Sequence, residues 1–160
     1  MLALQLDQAP SPTLQSTPGR APQQYVTFHS AGGQYGAGIM QVQEIRSWQP
    51  TAPLPNRSRA ARGVLDIRGK VVEVFDLSVL LGEALFEPDK ESVILVLSLP
   101  TRIVGLLVES VSDIIQVGPD ASMPVPNDSD DPATAFMGGM VNHDGKLIGL
   151  LDLDVLFSNN

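Results

Sequence analysis

Residues 63–82, GVLDIRGKVVEVFDLSVLLG, and residues 139–158, GMVNHDGKLIGLLDLDVLFS, carry one pattern twice. At an offset of 76 they agree at seven of twenty positions: Gly63/Gly139, Gly69/Gly145, Lys70/Lys146, Asp76/Asp152, Leu77/Leu153, Val79/Val155 and Leu80/Leu156. The agreements fall on turn glycines, on an aspartate placed to cap a helical turn, and on apolar residues, so what repeats is backbone geometry. The first copy reads as strand, turn, strand, and both copies end in a brief helical piece, over 77–81 and 153–157.

The duplication extends outward. YGAGIMQVQEI (35–45) aligns with VGLLVESVSDI (104–114) at an offset of 69, pairing Gly36/Gly105, Val42/Val111, Glu44/Asp113 and Ile45/Ile114. The change of offset from 69 to 76 requires seven extra residues in the second half, and the Pro- and Asp-rich stretch 118–132 is where an exposed loop absorbs them. Short alternating apolar runs punctuated by Gly and Pro predict strands over 25–28, 34–39, 63–67, 71–75, 93–99, 103–108 and 146–151. The expected class is all-β: two five-stranded barrels built on one blueprint, with short helical turns. The expected subdomains are about 24–83 and 92–158, with intertwined terminal segments allowed for. Residues 1–22, with four prolines among Ser, Thr and Gln, predict a disordered leader, and folding is expected from residue 23 or 24.

Composition sets the outer bounds. The 160 residues are 43% apolar and 18% charged, as in a globular chain, and contain no cysteine, which excludes disulfides, thiolate metal sites and cysteine nucleophiles. The longest apolar run, Val93 to Leu97, is far shorter than the roughly 18 to 20 residues of a membrane-spanning helix. The start, MLALQLDQAPSPT, lacks the basic region of a signal peptide, so a cytoplasmic protein is expected. Residues 1–70 hold seven of the ten Lys and Arg but three of the 18 Asp and Glu, which makes the chain electrically two-ended. Arg46, Arg57, Arg59, Arg62, Arg68 and Lys70 cluster within 25 positions, yet a net charge of −8 argues against nucleic acid as a partner.

No constellation for catalysis emerges. His29 and His143 lie in different repeats without a second imidazole at ligand spacing, and Asn127-Asp-Ser-Asp-Asp131 lacks the glycine and distal glutamate of a calcium loop. Glycines 32, 33, 36 and 38 have no Gly-Lys-Ser/Thr behind them, and a hairpin turn explains Gly32-Gly33. Asp152 reads as a cap rather than a metal ligand, and no G-x-S-x-G is present. Neither an enzyme nor a bound cofactor or metal is expected. Attention passes to polar residues that geometry does not demand: Glu44 and Arg68, whose repeat counterparts are Asp113 and Asp144.

QYVTFHSAGGQYGAGIMQVQEI, GVLDIRGKVVEVFDL, VGLLVESVSDI and LIGLLDLDVLF, in this order over about residues 24–158, resemble the successive blocks of the CheW family. The resemblance implies two SH3-like subdomains and the role of a non-catalytic chemotaxis adaptor. Its implied partners are the cytoplasmic hairpin tip of chemoreceptors and the regulatory domain of a CheA-type histidine kinase. Carried over by position, it implies receptor contact at Val42, Glu44, Gly63 and Arg68, with kinase contacts on apolar faces of both barrels. Where the family commonly reads N-L-R-G and P-V-I-D-L-R, this chain has Asp66-Ile-Arg-Gly69 and Glu73-Val-Phe-Asp-Leu-Ser78. Two other classes stay open at this point: an adaptor of a parallel chemosensory pathway controlling pili or gene expression, and a small ligand-binding β-barrel.

Overall fold

The computed structural model describes residues 23–55, 58–126 and 132–158. The expected leader over 1–22 and the 127–131 stretch lie outside the described residues. Ten strands are described: β1 (Gln23–Ser30), β2 (Gly33–Gly38), β3 (Val42–Ser47), β4 (Ala61–Ile67), β5 (Lys70–Asp76), β6 (Val93–Ser98), β7 (Ile103–Val108), β8 (Ser110–Val117), β9 (Met137–His143) and β10 (Lys146–Leu151). One-turn helices α1 (Leu77–Leu80) and α2 (Leu153–Leu156) follow β5 and β10. The all-β expectation holds, with two five-stranded sheets in the SH3-like arrangement.

The repeat governs local detail. The β4–β5 and β9–β10 hairpins turn through Arg68-Gly69 and Asp144-Gly145, each pair with positive φ (53° and 83°, 53° and 79°), the conformation of a type I′ turn. Both hairpins carry a bulge at their far ends, at Ala61/Gly63 and Met137/Gly139. Asp76 and Asp152 cap their helices, accepting from the Ser78 N–H at 2.9 Å and the Val155 N–H at 3.2 Å.

The sheets do not follow the halves of the sequence. The first sheet runs β9-β10-β2-β1-β8 and the second β3-β6-β7-β5-β4. Each repeat therefore gives its first two strands to the sheet that holds the last three strands of the other. Parallel pairing seals the exchange: Glu73 faces Val104 where β5 meets β7, and Gly149 faces Tyr35 where β10 meets β2, positions related by the same offsets of 76 and 69. The expected bounds of 24–83 and 92–158, with intertwined terminal segments allowed for, follow the two repeats, whereas the sheets cut across them. Residues 42–108 form one sheet continuously, and 23–38 join 110–151 in the other.

Three apolar clusters result. Leu65, Ile67, Val72, Val74, Ile94, Val96 and Leu107 fill the second sheet's interior, and Ile115, Val117, Val141, Ile148 and Leu150 fill the first. The largest lies between the sheets and includes Val26, Phe28, Phe75, Leu95, Leu97, Leu106, Leu153 and Phe157. Successive residues of β6 thus enter different cores, Ile94 and Val96 one, Leu95 and Leu97 the other. That explains why its sequence is continuously apolar rather than alternating.

Candidate partner-binding surface

Strand β3 is an edge of the second sheet and alternates half-buried with exposed positions. Glu44 and Arg46, two residues apart, share a face, and Arg46 Nη1 donates to Glu44 Oε2 at 2.8 Å. Arg68 arrives from the opposite edge strand, β4, at the tip of its hairpin, where its Nη1 lies 3.2 Å from Glu44 Oε1. One carboxylate therefore pairs with two guanidinium groups, Arg46 on its own strand and Arg68 from the opposite edge, and this contact is the seam between the two edges of the sheet. The Arg68 side chain is 78% exposed, which leaves most of its donors facing solvent. The hairpin is held below it by Asp66 Oδ1, which accepts from the Gly69 N–H at 2.9 Å, a bond the asparagine common in the family would also make.

Of the four residues singled out in sequence, Glu44 and Arg68 are thus in direct contact. Val42 is on the same strand beyond a bulge, paired with Leu97 and packed against the central core. Gly63 stands apart from the surface: it is buried, has φ +129°, and a Cβ there would meet the Ala52 carbonyl oxygen at 2.5 Å. Its neighbour Val64 exchanges both backbone hydrogen bonds with Ala52, at 2.8 and 2.9 Å, so Gly63 serves the close approach of two backbones. Arg46 was not singled out, although its spacing from Glu44 on a strand is the signal that reveals it.

The other sheet lacks this arrangement. Its equivalent positions are Asp113, whose carboxylate accepts from the Ile114 N–H, and Asp144, 3.5 Å from the His143 ring nitrogen. Charge divides the same way: residues 42–108 contain eight basic and eight acidic residues, whereas 109–160 contain nine acidic residues and the single basic Lys146. Among the exposed apolar residues, by contrast, are two repeat-related pairs, Ile45 with Ile114 and Val71 with Leu147.

At the end of the β4–β5 hairpin away from Arg68 lies a cluster that the sequence did not flag. Asp76 is buried, with Arg62 Nη2 at 3.2 Å from its Oδ2. The guanidinium sits between the Trp48 and Phe86 rings, 5.9 and 5.8 Å from their centroids, and also donates to the Phe86 carbonyl. Burial pushes the Asp76 carboxyl above its ordinary value, opposed by Arg62 and by the hydrogen bonds from Ser78.

Two duplicated, strand-exchanged β units with repeat-related apolar surface and one exposed charge cluster define a protein-docking module. The CheW-like domain model matches residues 24–160, and the chain belongs to that family. It is 36% identical over 132 residues to the chemotaxis protein CheW of Rhizobium meliloti, covering 82% of this chain and 85% of that protein. It is 28% identical over 137 residues to the chemotaxis protein CheW of Klebsiella aerogenes, covering 86% and 82%. The crystal structure of the scaffolding protein TtCheW from Thermoanaerobacter tengcongensis superposes with a TM-score of 0.79 at 26% identity, covering 92% of this chain and 96% of that one. Among the described residues, no helix is long and apolar enough to cross a membrane.

Proposed function

We propose that this chain is a non-catalytic cytoplasmic adaptor of chemotaxis, recruited to membrane-associated arrays, that binds the hairpin tip of chemoreceptors and the regulatory domain of a CheA-type histidine kinase. The observation that carries the reading is the CheW-like match over 24–160 on a chain whose Glu44 and Arg68 meet at an exposed seam. A receptor hairpin presents helical carboxylates and polar side chains. The exposed fork of Arg68 suits that surface, and Glu44 with Arg46 fixes one side of the fork while its outer donors stay available.

Kinase docking is supported by the repeat-related apolar pairs Ile45/Ile114 and Val71/Leu147, which give both sheets similar patches for barrels of the same kind. The test is reconstitution of receptor hairpin fragments with the kinase, with and without this chain, reading kinase phosphorylation. The proposal expects phosphorylation to respond to receptor only when the chain is present. An identical response without it contradicts the adaptor role.

A further inference from the structure

The repeat supplies an internal comparison for the Arg62 cluster. Arg62 is the residue that the β4 bulge leaves unpaired between Ala61 and Gly63, and Gly138 is the residue that the β9 bulge leaves unpaired between Met137 and Gly139. The two therefore occupy equivalent places, at the same offset of 76 that relates Asp76 to Asp152. Each aspartate commits Oδ1 to its helix, Asp76 accepting from the Ser78 N–H and Asp152 from the Val155 N–H. In the second sheet the Arg62 guanidinium takes the other carboxylate oxygen, with Nη2 3.2 Å from Asp76 Oδ2. In the first sheet the equivalent place is a glycine, and no side chain comes from it.

An open cavity of about 310 Å³ lies there. Gly38, Gly138, Leu150 and Asp152 line it, and their repeat counterparts are Leu107, Arg62, Val74 and Asp76. Two glycines thus stand where the other half has a leucine and an arginine. The rest of the wall is polar or aromatic, from Gln23, Tyr25, Gln41 and Ser122. Asp154 lines the cavity too but also borders the neighbouring groove that holds Arg102, which leaves Asp152 as the carboxylate particular to this cavity.

The backbone does not demand glycine at 138. Its φ is not positive, and an added Cβ would meet nothing within 4 Å, whereas at Gly139 beside it a Cβ would meet the Ser122 hydroxyl at 2.4 Å. A side chain fits at 138, and its absence keeps the cavity open. Charge indicates what enters. Residues 109–160 contain nine acidic residues and one basic residue, Lys146, which lies opposite His143 at the other end of the β9–β10 hairpin.

We infer that this cavity binds a guanidinium group, held on Asp152 as the chain's own Arg62 is held on Asp76. The group comes from an arginine side chain of a protein partner or from a free guanidinium compound. A guanidinium has five donors, and the carboxylate of Asp152, the amide oxygen of Gln41 and the hydroxyl of Ser122 are acceptors along the wall. Tyr25 supplies an aromatic ring where Arg62 has those of Trp48 and Phe86.

The test titrates the full chain with N-acetyl-arginine amide, agmatine and the neutral isostere N-acetyl-citrulline amide, reading backbone amide chemical shifts. N-acetyl-arginine amide is expected to move the resonances of Gly138 and Asp152 saturably, with half-saturation at about 1–10 mM. Citrulline is expected to bind at least about tenfold more weakly, since it lacks the charge. Gly138→Arg, which rebuilds the Arg62 arrangement, and Asp152→Asn, which keeps an oxygen for the Val155 N–H, are each expected to weaken arginine binding at least about fivefold. Gly138→Arg is also expected to raise the melting temperature more in the parent than in Asp152→Asn, because the new side chain pairs with the carboxylate. Tighter binding of the blocked arginine than of agmatine assigns the site to a partner's side chain, and the reverse order assigns it to a free compound. Equal binding of citrulline, the lack of a saturable shift up to about 50 mM, or full binding by a folded Gly138→Arg or Asp152→Asn protein overturns the inference.

Discussion

Arg68 Nη1 lies 3.2 Å from Glu44 Oε1, although the two residues belong to opposite edges of one five-stranded sheet. The ion pair thus bridges the two edges of the sheet through side chains. Arg68 meets this geometry at a cost, since its φ of 53° is a left-handed conformation that asparagine or glycine adopts more readily. Its repeat counterpart in the same conformation is Asp144, a residue well suited to it.

Arg68→Asn is therefore expected to stabilise the fold. Relief of left-handed strain, about 1 kcal/mol, outweighs an exposed ion pair of about 0.3–0.5 kcal/mol. A rise of about 2 °C in the melting temperature, together with weaker receptor binding, is the expected outcome of thermal unfolding and a binding titration. A fall in melting temperature contradicts the strain argument.

The two repeat-related glycines are expected to respond unequally to alanine. At Gly63 the new Cβ meets the fixed Ala52 carbonyl at 2.5 Å and the backbone has φ +129°, so a loss of about 3 kcal/mol or more is expected. At Gly139 the obstacle is the Ser122 hydroxyl, which can rotate away, and less than about 1 kcal/mol is expected. Urea unfolding of the two variants decides the order.

Asp76 gives a pH dependence of definite sign. Its folded pKa is raised above the ordinary 3.8, chiefly by burial, so the folded state holds the proton more tightly than the unfolded chain. Its contribution to stability is full below that ordinary value and is lost as pH rises through the raised one. The stability of the parent minus that of Asp76→Asn, which keeps an oxygen for the Ser78 N–H, is expected to fall with rising pH in this window. A difference that grows with pH contradicts the burial account.

Val71→Glu combined with Leu147→Glu is expected to weaken kinase binding at least tenfold, by placing carboxylates on apolar patches that docking would bury. Both side chains are exposed, Val71 at 74%, so folding should be little affected. Unchanged kinase affinity in calorimetry removes these patches from the interface.

The duplication, the glycine turns at 69 and 145 and the caps at Asp76 and Asp152 were legible in the sequence because each depends on residues close in the chain. Strands β3 and β8 lie outside the expected runs: in β3 the usual alternation is inverted, Glu44 and Arg46 being half-buried while Ile45 is exposed, and in β8 Ile114 is exposed beside the buried Ile115. Met137–His143 was obscured by its two glycines. Intertwined terminal segments were allowed for, but which strands change sheets was not legible, for a different reason. The exchange rests on parallel pairs between strands far apart in sequence, which no turn residue announces. Glu44 and Arg68 were reached through the family resemblance, and their contact follows only once the sheet curls. The Arg62–Asp76 pair was missed because nothing in local sequence indicates that the Asp76 cap is buried while Asp152 is exposed.

The most direct measurement is the affinity of a cognate receptor hairpin fragment for the parent and for Arg68→Glu, with folding checked by thermal unfolding. The account predicts a melting temperature within about one or two degrees of the parent, as for a surface change. It predicts receptor binding weaker by about 1–3 kcal/mol, roughly five- to 150-fold, from loss of the guanidinium contact and repulsion between like charges. Equal affinity for the two folded proteins would contradict the assignment of the Glu44–Arg68 seam as the receptor site.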